Sequence, residues 1–360
     1  IGGMDTKDDP DAFTGQFEKE RDNAFRANTS LNWMLNRSWI TSLKFDASVN
    51  FNDNLYRFHK YESYASNQPA VHAEIPGYFL ADQLPLTYFS DQITDSKELD
   101  FAASLKYNWN KRWNDWKSLL KAGVQWKANG NVGQGEYYED PALAANGYRP
   151  RPYTDYPFMH NLSIYAEEQL TIPIATTKLE IMAGLRLENV FIKNSLYNNK
   201  TAFTPRFNAK WQLTEGLSIR GGWGITEKLP SYYILYPKQE YRDIQTFGFS
   251  YGDKASYIYY TQPYTVTYNP DLRWQRNSNS EVGIDAAFAD MKVSLVGFYN
   301  VTKGPYNFLN VYEPYSYDIL QRPEGFVMPD NPQIKVDSQT GMMYVRGSQD
   351  EYWTPMDVEV

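Results

Sequence analysis

Groups able to do covalent or metal chemistry are few in this chain, and their spacing argues against catalysis. His59, His72 and His160 are its three histidines, too far apart in sequence to form a short metal-ligand motif. Cysteine is absent, which removes thiolate nucleophiles, thiolate zinc sites and disulfides together. Asp5, Asp8, Asp9 and Asp11 form an acidic run of the kind that can hold Ca²⁺. Pro10, however, stands where an EF-hand loop turns on glycine, and Gln16 stands where that loop needs glutamate. A solvated acidic loop is the expectation there. Glu167 and Glu168 are neighbours on an alternating segment and point to opposite faces, so they cannot act as a paired acid and base. Neither a Gly-x-Ser-x-Gly elbow nor a lysine-bearing phosphate loop occurs. Gly221-Gly222-x-Gly224 lies inside a strand-like run, so it is no dinucleotide fingerprint; Gly222 and Gly224 are expected to leave room for a plug or substrate. No catalytic residue, metal or cofactor is expected.

Non-covalent recognition has far more to work with. The chain carries 30 Tyr, 19 Phe and 10 Trp. One dense group is Tyr137, Tyr138, Tyr148, Tyr153 and Tyr156, interspersed with prolines; another runs from Tyr232, Tyr233 and Tyr236 to Tyr268. A phenol offers a flat apolar ring and a hydroxyl, suited to stacking on sugar faces or packing against a partner. Tyr137, Tyr138, Tyr232, Tyr233 and Tyr236 are the candidate ligand-binding residues, while most other loop tyrosines are expected to pack the loops together.

Composition limits the rest. Lys plus Arg number 35 against 43 Asp plus Glu, a net charge of −8. With no dense basic run, nucleic acid is not an expected partner. Mean hydropathy is −0.61, and no stretch approaches the ~18 apolar residues of a spanning helix. A transmembrane β-barrel survives this test, because its strands alternate and average out as hydrophilic.

Alternation is indeed the dominant pattern. Leu31, Trp33 and Leu35 alternate with Asn32 and Met34; after Asn36-Arg37-Ser38, Trp39, Thr41, Leu43, Phe45, Ala47, Val49 and Phe51 alternate with Ser42, Lys44, Asp46, Ser48 and Asn50. The same pairing recurs at 99–128, 162–187, 203–225 and 282–301, giving about ten strands in five hairpins. Short turns join the strands of each pair. Long excursions follow the second strand, at roughly 52–97, 129–159, 190–200, 227–277 and 302–360. Such sorting belongs to barrels with short periplasmic turns and long extracellular loops. Trp33, Trp39, Trp109 and Trp211 fall beside short turns, and Trp126 and Trp223 toward the long-loop ends. These six are the candidate membrane girdles, in contact with outer-membrane lipids.

Two segments are more specific. Residues 202–231 read AFTPRFNAKWQLTEGLSIRGGWGITEKLPS, and 269–285 read NPDLRWQRNSNSEVGID before a turn and KVSLVGFYN. They resemble the barrel of TonB-dependent outer-membrane transporters, especially the SusC-like group of Bacteroidetes-type bacteria. A proline occurs in that family where Pro205 stands, although proline cannot donate to a strand ladder. Gln275 departs from the acidic residue of the family pattern, so no carboxylate role is carried over.

The resemblance implies an all-β, antiparallel transmembrane barrel wall, about ten strands of a 22-stranded whole. Residues 1–360 would be part of a single β-barrel domain, with no plug domain, TonB box or C-terminal closing strand in this span. Import of an oligosaccharide or peptide through a plugged lumen is implied, in the outer membrane of a Gram-negative bacterium. TonB, engaging an N-terminal region outside the span, and a SusD-like surface lipoprotein are the implied partners. The chain opens Ile1-Gly2-Gly3 without a charged, then apolar, leader, so a signal peptide is expected to be absent or removed. A small passive porin and a secreted, soluble carbohydrate-binding β-protein are the rival readings.

Overall fold

The structure is a computed structural model and describes residues 15–63, 73–195, 197–264, 266, 269, 271–288, 290–319 and 324–356. Its strands are β1 (Phe17–Arg37), β2 (Ile40–Ser63), β3 (Gly77–Pro85), β4 (Thr87–Trp113), β5 (Trp116–Asn131), β6 (Gly135–Tyr138), β7 (Met159–Ile174), β8 (Thr177–Ile192) and β9 (Lys200–Phe203). The chain continues with β10 (Arg206–Thr214), β11 (Leu217–Lys228), the one-turn helix α1 (Tyr232–Leu235), β12 (Glu240–Tyr251) and β13 (Lys254–Tyr264). Last come β14 (Gln275–Phe288), β15 (Met291–Lys303), β16 (Gln333–Val336), β17 (Met343–Arg346) and β18 (Thr354–Met356).

Ten strands pair in the order β1-β2-β4-β5-β7-β8-β10-β11-β14-β15, every neighbour antiparallel, with β6 and β9 added at β4 and β8. Among the described residues nothing pairs β1 with β15, so the wall is an open arc. The five expected hairpins are all present. Trp113 pairs with Trp116 and Ile174 with Thr177, each closing a two-residue turn, and Phe288 pairs with Met291. Asn114 (φ 52°) and Ala175 (φ 52°) take the left-handed conformation that twisted two-residue hairpins demand.

Register converts alternation into two faces. Leu31, Phe45, Leu105, Val124, Ile164, Leu187 and Phe203 are successive partners across seven strands. One residue along, the row reads Ser30, Asp46, Ser104, Gln125, Ser163 and Glu188. The apolar row stays exposed, with Ile164 at 54% and Leu187 at 47%. Among the described residues no second layer covers it, and the buried hydrophobic clusters lie elsewhere, in the crown above the wall and at its rim. Side chains of this kind, in this arrangement, have hydrocarbon as their partner. The polar face satisfies itself: Asp46 accepts from Ser30 and pairs with Lys44 (3.0 Å) and Lys106 (2.8 Å). Arg186 pairs with Glu188 (2.5 Å) and donates to Gln125 and Ser163.

Two sequence expectations need correction. Trp39 lies in the turn itself rather than on the second strand, because a bulge between Met34 and Arg37, with Asn36 at φ 48°, shifts the register and buries Ile40. The first excursion is also shorter than the expected 52–97. Strand β2 runs on to Ser63 and β4 begins at Thr87, so the ladder climbs far past the apolar band. On β2 that band covers Leu43 to Phe51, matching the ~9–11 residues a tilted strand needs to cross. Above it the outward face turns to ion pairs: Arg21–Asp53 (3.2 Å), Arg57–Asp91 (2.9 Å) and Lys97–Asp95 (2.7 Å). Burial pushes the Asp91 carboxyl up, but the bonds from Arg57 and His59 outweigh it and hold the group below the usual carboxylate range.

The long connections build a crown. Strands β12, β13 and β3 form one sheet and β16–β18 another. Tyr78, Phe249, Ile258, Ile334, Met343 and Val345 join them in a buried cluster.

Candidate functional site

At the top of the inward face, Glu98 and Asp100 of β4 stand near Asn129 and Asn131 of β5, since Glu98 pairs with Asn131 and Asp100 with Asn129. These residues floor a cavity of about 570 Å³. Its sides come from Glu136, Arg151, Tyr153 and Tyr156 in the β5–β7 connection, and from Tyr232, Tyr233 and Tyr236 around α1. The rings are organised. Tyr156 meets Tyr232 (6.2 Å) and Tyr236 (5.6 Å) edge to face, and Tyr232 stacks on Tyr236 (6.0 Å). The Arg151 guanidinium lies 4.6 Å from the Tyr156 ring centre and donates to the Tyr236 carbonyl at 3.0 Å. Burial raises the Tyr153 and Tyr156 hydroxyls and pushes Tyr232 up to about 12, so the phenols stay neutral near pH 7. The cavity thus offers flat apolar faces and planar hydrogen-bonding groups, with no nucleophile–base pair.

Behind it lies a latch. Arg149 and Asp243 have side chains 6% and 0% exposed and pair at 3.1 Å. Arg149 also donates to the Ala73 carbonyl (2.9 and 2.6 Å) and sits 4.3 Å from the Tyr241 ring centre. Asp243 accepts in addition from Thr261 (2.7 Å) and the Gly147 amide (3.0 Å). Three connections meet at this one pair, and every lone pair of charge is answered, which is what a buried ion pair requires.

Of the sequence candidates, Tyr232, Tyr233 and Tyr236 line the cavity together. Tyr137 and Tyr138 do not line it. They lie on β6, Tyr137 opposite Ile93 and Tyr138 edge-on to Tyr148 at 4.8 Å. Arg149, Arg151, Glu98 and Asp100 were not singled out by sequence; the Arg-Pro-Arg-Pro run at 149–152 was the available signal. Trp33 and Trp211 are exposed on the outward face near short turns, and Trp39 is exposed within one. The Trp109 indole donates to Ser38, and Trp113 and Trp116 join this level. Trp126 stands opposite Leu162, and Trp223 opposite Phe207 with its N–H to Ser278 (3.3 Å).

His59 is stacked between Phe17 and Phe89 with Nδ1 2.8 Å from Asp91, and His160 stacks on Trp126. His72 and the Asp5, Asp8, Asp9 and Asp11 run lie outside the described residues. Glu167 pairs with Lys121 on the inward face (3.6 Å), while Glu168 accepts from Ser118. Among the described residues no group of three or more metal-ligating side chains converges. Gly222 faces inward between Asn208 and Glu281, and a Cβ there would run into the Asn208 side chain.

The family model described as "TonB dependent receptor-like, beta-barrel" matches residues 2–319. The chain belongs to that family. It is a barrel family, and the arc of antiparallel strands with one lipid-type and one polar face is its wall. No curated protein sequence matches the chain. Among solved structures it is similar to a mutant of the ferric enterobactin receptor PfeA from Pseudomonas aeruginosa (16% identity, TM-score 0.43, 84% of this chain and 45% of that one). It is also similar to the siderophore receptor PirA from Acinetobacter baumannii (13%, 0.43, 92% and 47%) and to the copper transporter OprC (10%, 0.39, 91% and 48%). The chain spans about half the length of these structures.

Proposed function

We propose that residues 1–360 are part of a single barrel domain in a TonB-dependent, SusC-like importer of the Gram-negative outer membrane, of Bacteroidetes type. The reading rests on one observation above all: an exposed apolar row seven strands wide backs directly onto a self-paired polar row. The family of the chain supports it. In this reading the remaining strands and the plug belong to the complete protein. TonB, acting through a region outside this span, moves the plug, and a SusD-like lipoprotein caps the crown.

The ligand is an oligosaccharide, taken up without covalent change. Neutral tyrosine faces beside Glu98, Asp100, Asn129 and Asn131 suit sugar rings and vicinal hydroxyls better than a peptide's mixed side chains. Tyr233, 69% exposed, offers the most open ring. The test uses the complete protein in its own cells with a panel of plant and fungal oligosaccharides. Growth on at least one of them should require TonB, and Tyr232→Ala with Tyr233→Ala should abolish its binding. Unchanged uptake by the double variant would remove these residues from the ligand path. Folding of the complete protein in plain buffer without detergent would sink the importer reading.

A further inference from the structure

Four glycines, Gly184, Gly222, Gly224 and Gly283, occupy inward positions on β8, β11 and β14. Each stands opposite a long side chain: Arg206 pairs with both Gly184 and Gly224, Asn208 with Gly222, and Arg220 with Gly283. Those side chains lie across the glycines. A Cβ at Gly184 would meet the Arg206 side chain at 3.1 Å, and one at Gly283 would meet Arg220 at 3.1 Å. This part of the wall is therefore low in relief. A hollow of about 680 Å³ opens over it, bordered by Arg206, Asn208, Glu281 and Phe298.

Charge pairing sets one residue of this panel apart. On β2 to β8, Lys44 and Lys106 hold Asp46, Lys121 holds Glu167 and Arg186 holds Glu188. Within the panel, Arg220 is paired with Glu281 (3.4 Å) and Asp285 (3.3 Å). Arg206 is not: among the described residues its guanidinium has neither an ion pair nor a hydrogen bond. It stands within the apolar band, its neighbour Phe207 being exposed on the outward face. Ionisable groups at membrane depth face the interior of the protein and pair there. A carboxylate is the group that answers a guanidinium with two parallel hydrogen bonds. Strand β10 is flanked on both sides, by β8 and β11, so no further wall strand can lie beside Arg206. Its partner comes from the body that fills the lumen.

Resting on the plugged-importer reading, we propose that this low panel is the bearing surface of the plug, and that an acidic side chain of the plug locks onto Arg206. The glycines let the plug approach the wall closely, and the hollow receives the acidic side chain. Lys210, further along the inward face of β10, adds a second positive charge and favours the same sign of partner. The paired cations of β2 to β8 are neutralised by their own wall and offer the plug no equivalent hold. The plug is thus gripped on one side of the lumen.

The experiment is hydrogen exchange of the plug in the complete transporter reconstituted in lipid vesicles, with barrel folding checked by heat-modifiable gel mobility. Arg206→Gln should accelerate exchange of plug amides about tenfold, the factor for one lost charge-assisted hydrogen bond. Arg206→Glu should accelerate it further, by repulsion, and Arg206→Lys should restore much of the protection. Gly222→Leu raises the panel without touching a charge and should loosen the plug independently. Arg186→Gln, in the paired part of the wall, should leave plug exchange at the wild-type rate. Unchanged exchange in Arg206→Gln and Arg206→Glu would overturn the proposal. Equal acceleration by Arg206→Gln and Arg186→Gln would overturn it too, by making the effect common to the whole wall. If the wild-type complete protein carries no plug and its vesicles already leak small dextrans, the importer reading falls and the bearing surface with it.

Discussion

The Tyr232 hydroxyl shares its proton between the carbonyls of Asn129 (3.2 Å) and Pro157 (3.0 Å), tying the helical turn of one long loop to the last rungs of the wall. Chain segments 103 and 75 residues before it are held at one phenol. The rim is therefore built against the wall rather than suspended above it.

That bond has a defined pH window. Burial raises the Tyr232 pKa to about 12, above the ~10 of a free phenol. Its stabilisation is complete below pH ~10 and is lost as pH rises through the folded value, where the phenolate can no longer donate. An alkaline titration of tyrosinate absorbance should show a late-ionising group that disappears in Tyr232→Phe. Loss of ligand affinity in wild type should follow that group and not the bulk tyrosines. A Tyr232→Phe difference spectrum confined to pH ~10 would contradict it.

The outward rows make a depth prediction. Val124→Arg and Ile164→Arg lie inside the apolar band, in the row of Phe45, and should each destabilise the lipid-inserted protein by ~2–4 kcal/mol, whereas Phe25→Arg at its upper edge should cost ~0–1 kcal/mol. Reversible denaturant unfolding in vesicles measures the difference. Ser48→Arg, on the inward face of β2, provides the control and should be mild.

Breaking the latch should loosen the crown while sparing the wall. Asp243→Ala strands the Arg149 guanidinium in a dry site, at ~3–5 kcal/mol. Hydrogen exchange should accelerate at 147–149 and along β12 and β13, with protection of β4 and β5 unchanged. Removal of both partners, Arg149→Met with Asp243→Leu, should restore much of the protection, because no charge is then left unpaired.

How far the sequence revealed this fold depends on what each face touches. The ten wall strands were legible because hydrocarbon on one side and water on the other imposes period two on residues such as Leu43–Phe51. The upper reaches of β2 and β4 were not. Their outward positions become Asp53, Arg57, Asp91 and Asp95 once the strand leaves lipid, and the apolar signal stops while the ladder continues. Strand β13 was hidden for the opposite reason. Residues 255–259, Ala-Ser-Tyr-Ile-Tyr, are buried on both faces, so no alternation survives to mark them. The tyrosine rim was half legible: Tyr232, Tyr233 and Tyr236 share a short helical turn, but Arg149 and Asp243 meet across 94 positions with no local sign of each other.

The 27-residue β4 is about 90 Å of continuous ribbon, only part of which is needed to cross a bilayer. Its partner β2 stays in register with it for 22 consecutive rungs, from Ser42 to Ser63. Such a pair leaves no slack tether between the wall and the crown. The crown end and the lipid end of this pair therefore belong to one unbroken hydrogen-bonded ladder, with no hinge loop between them.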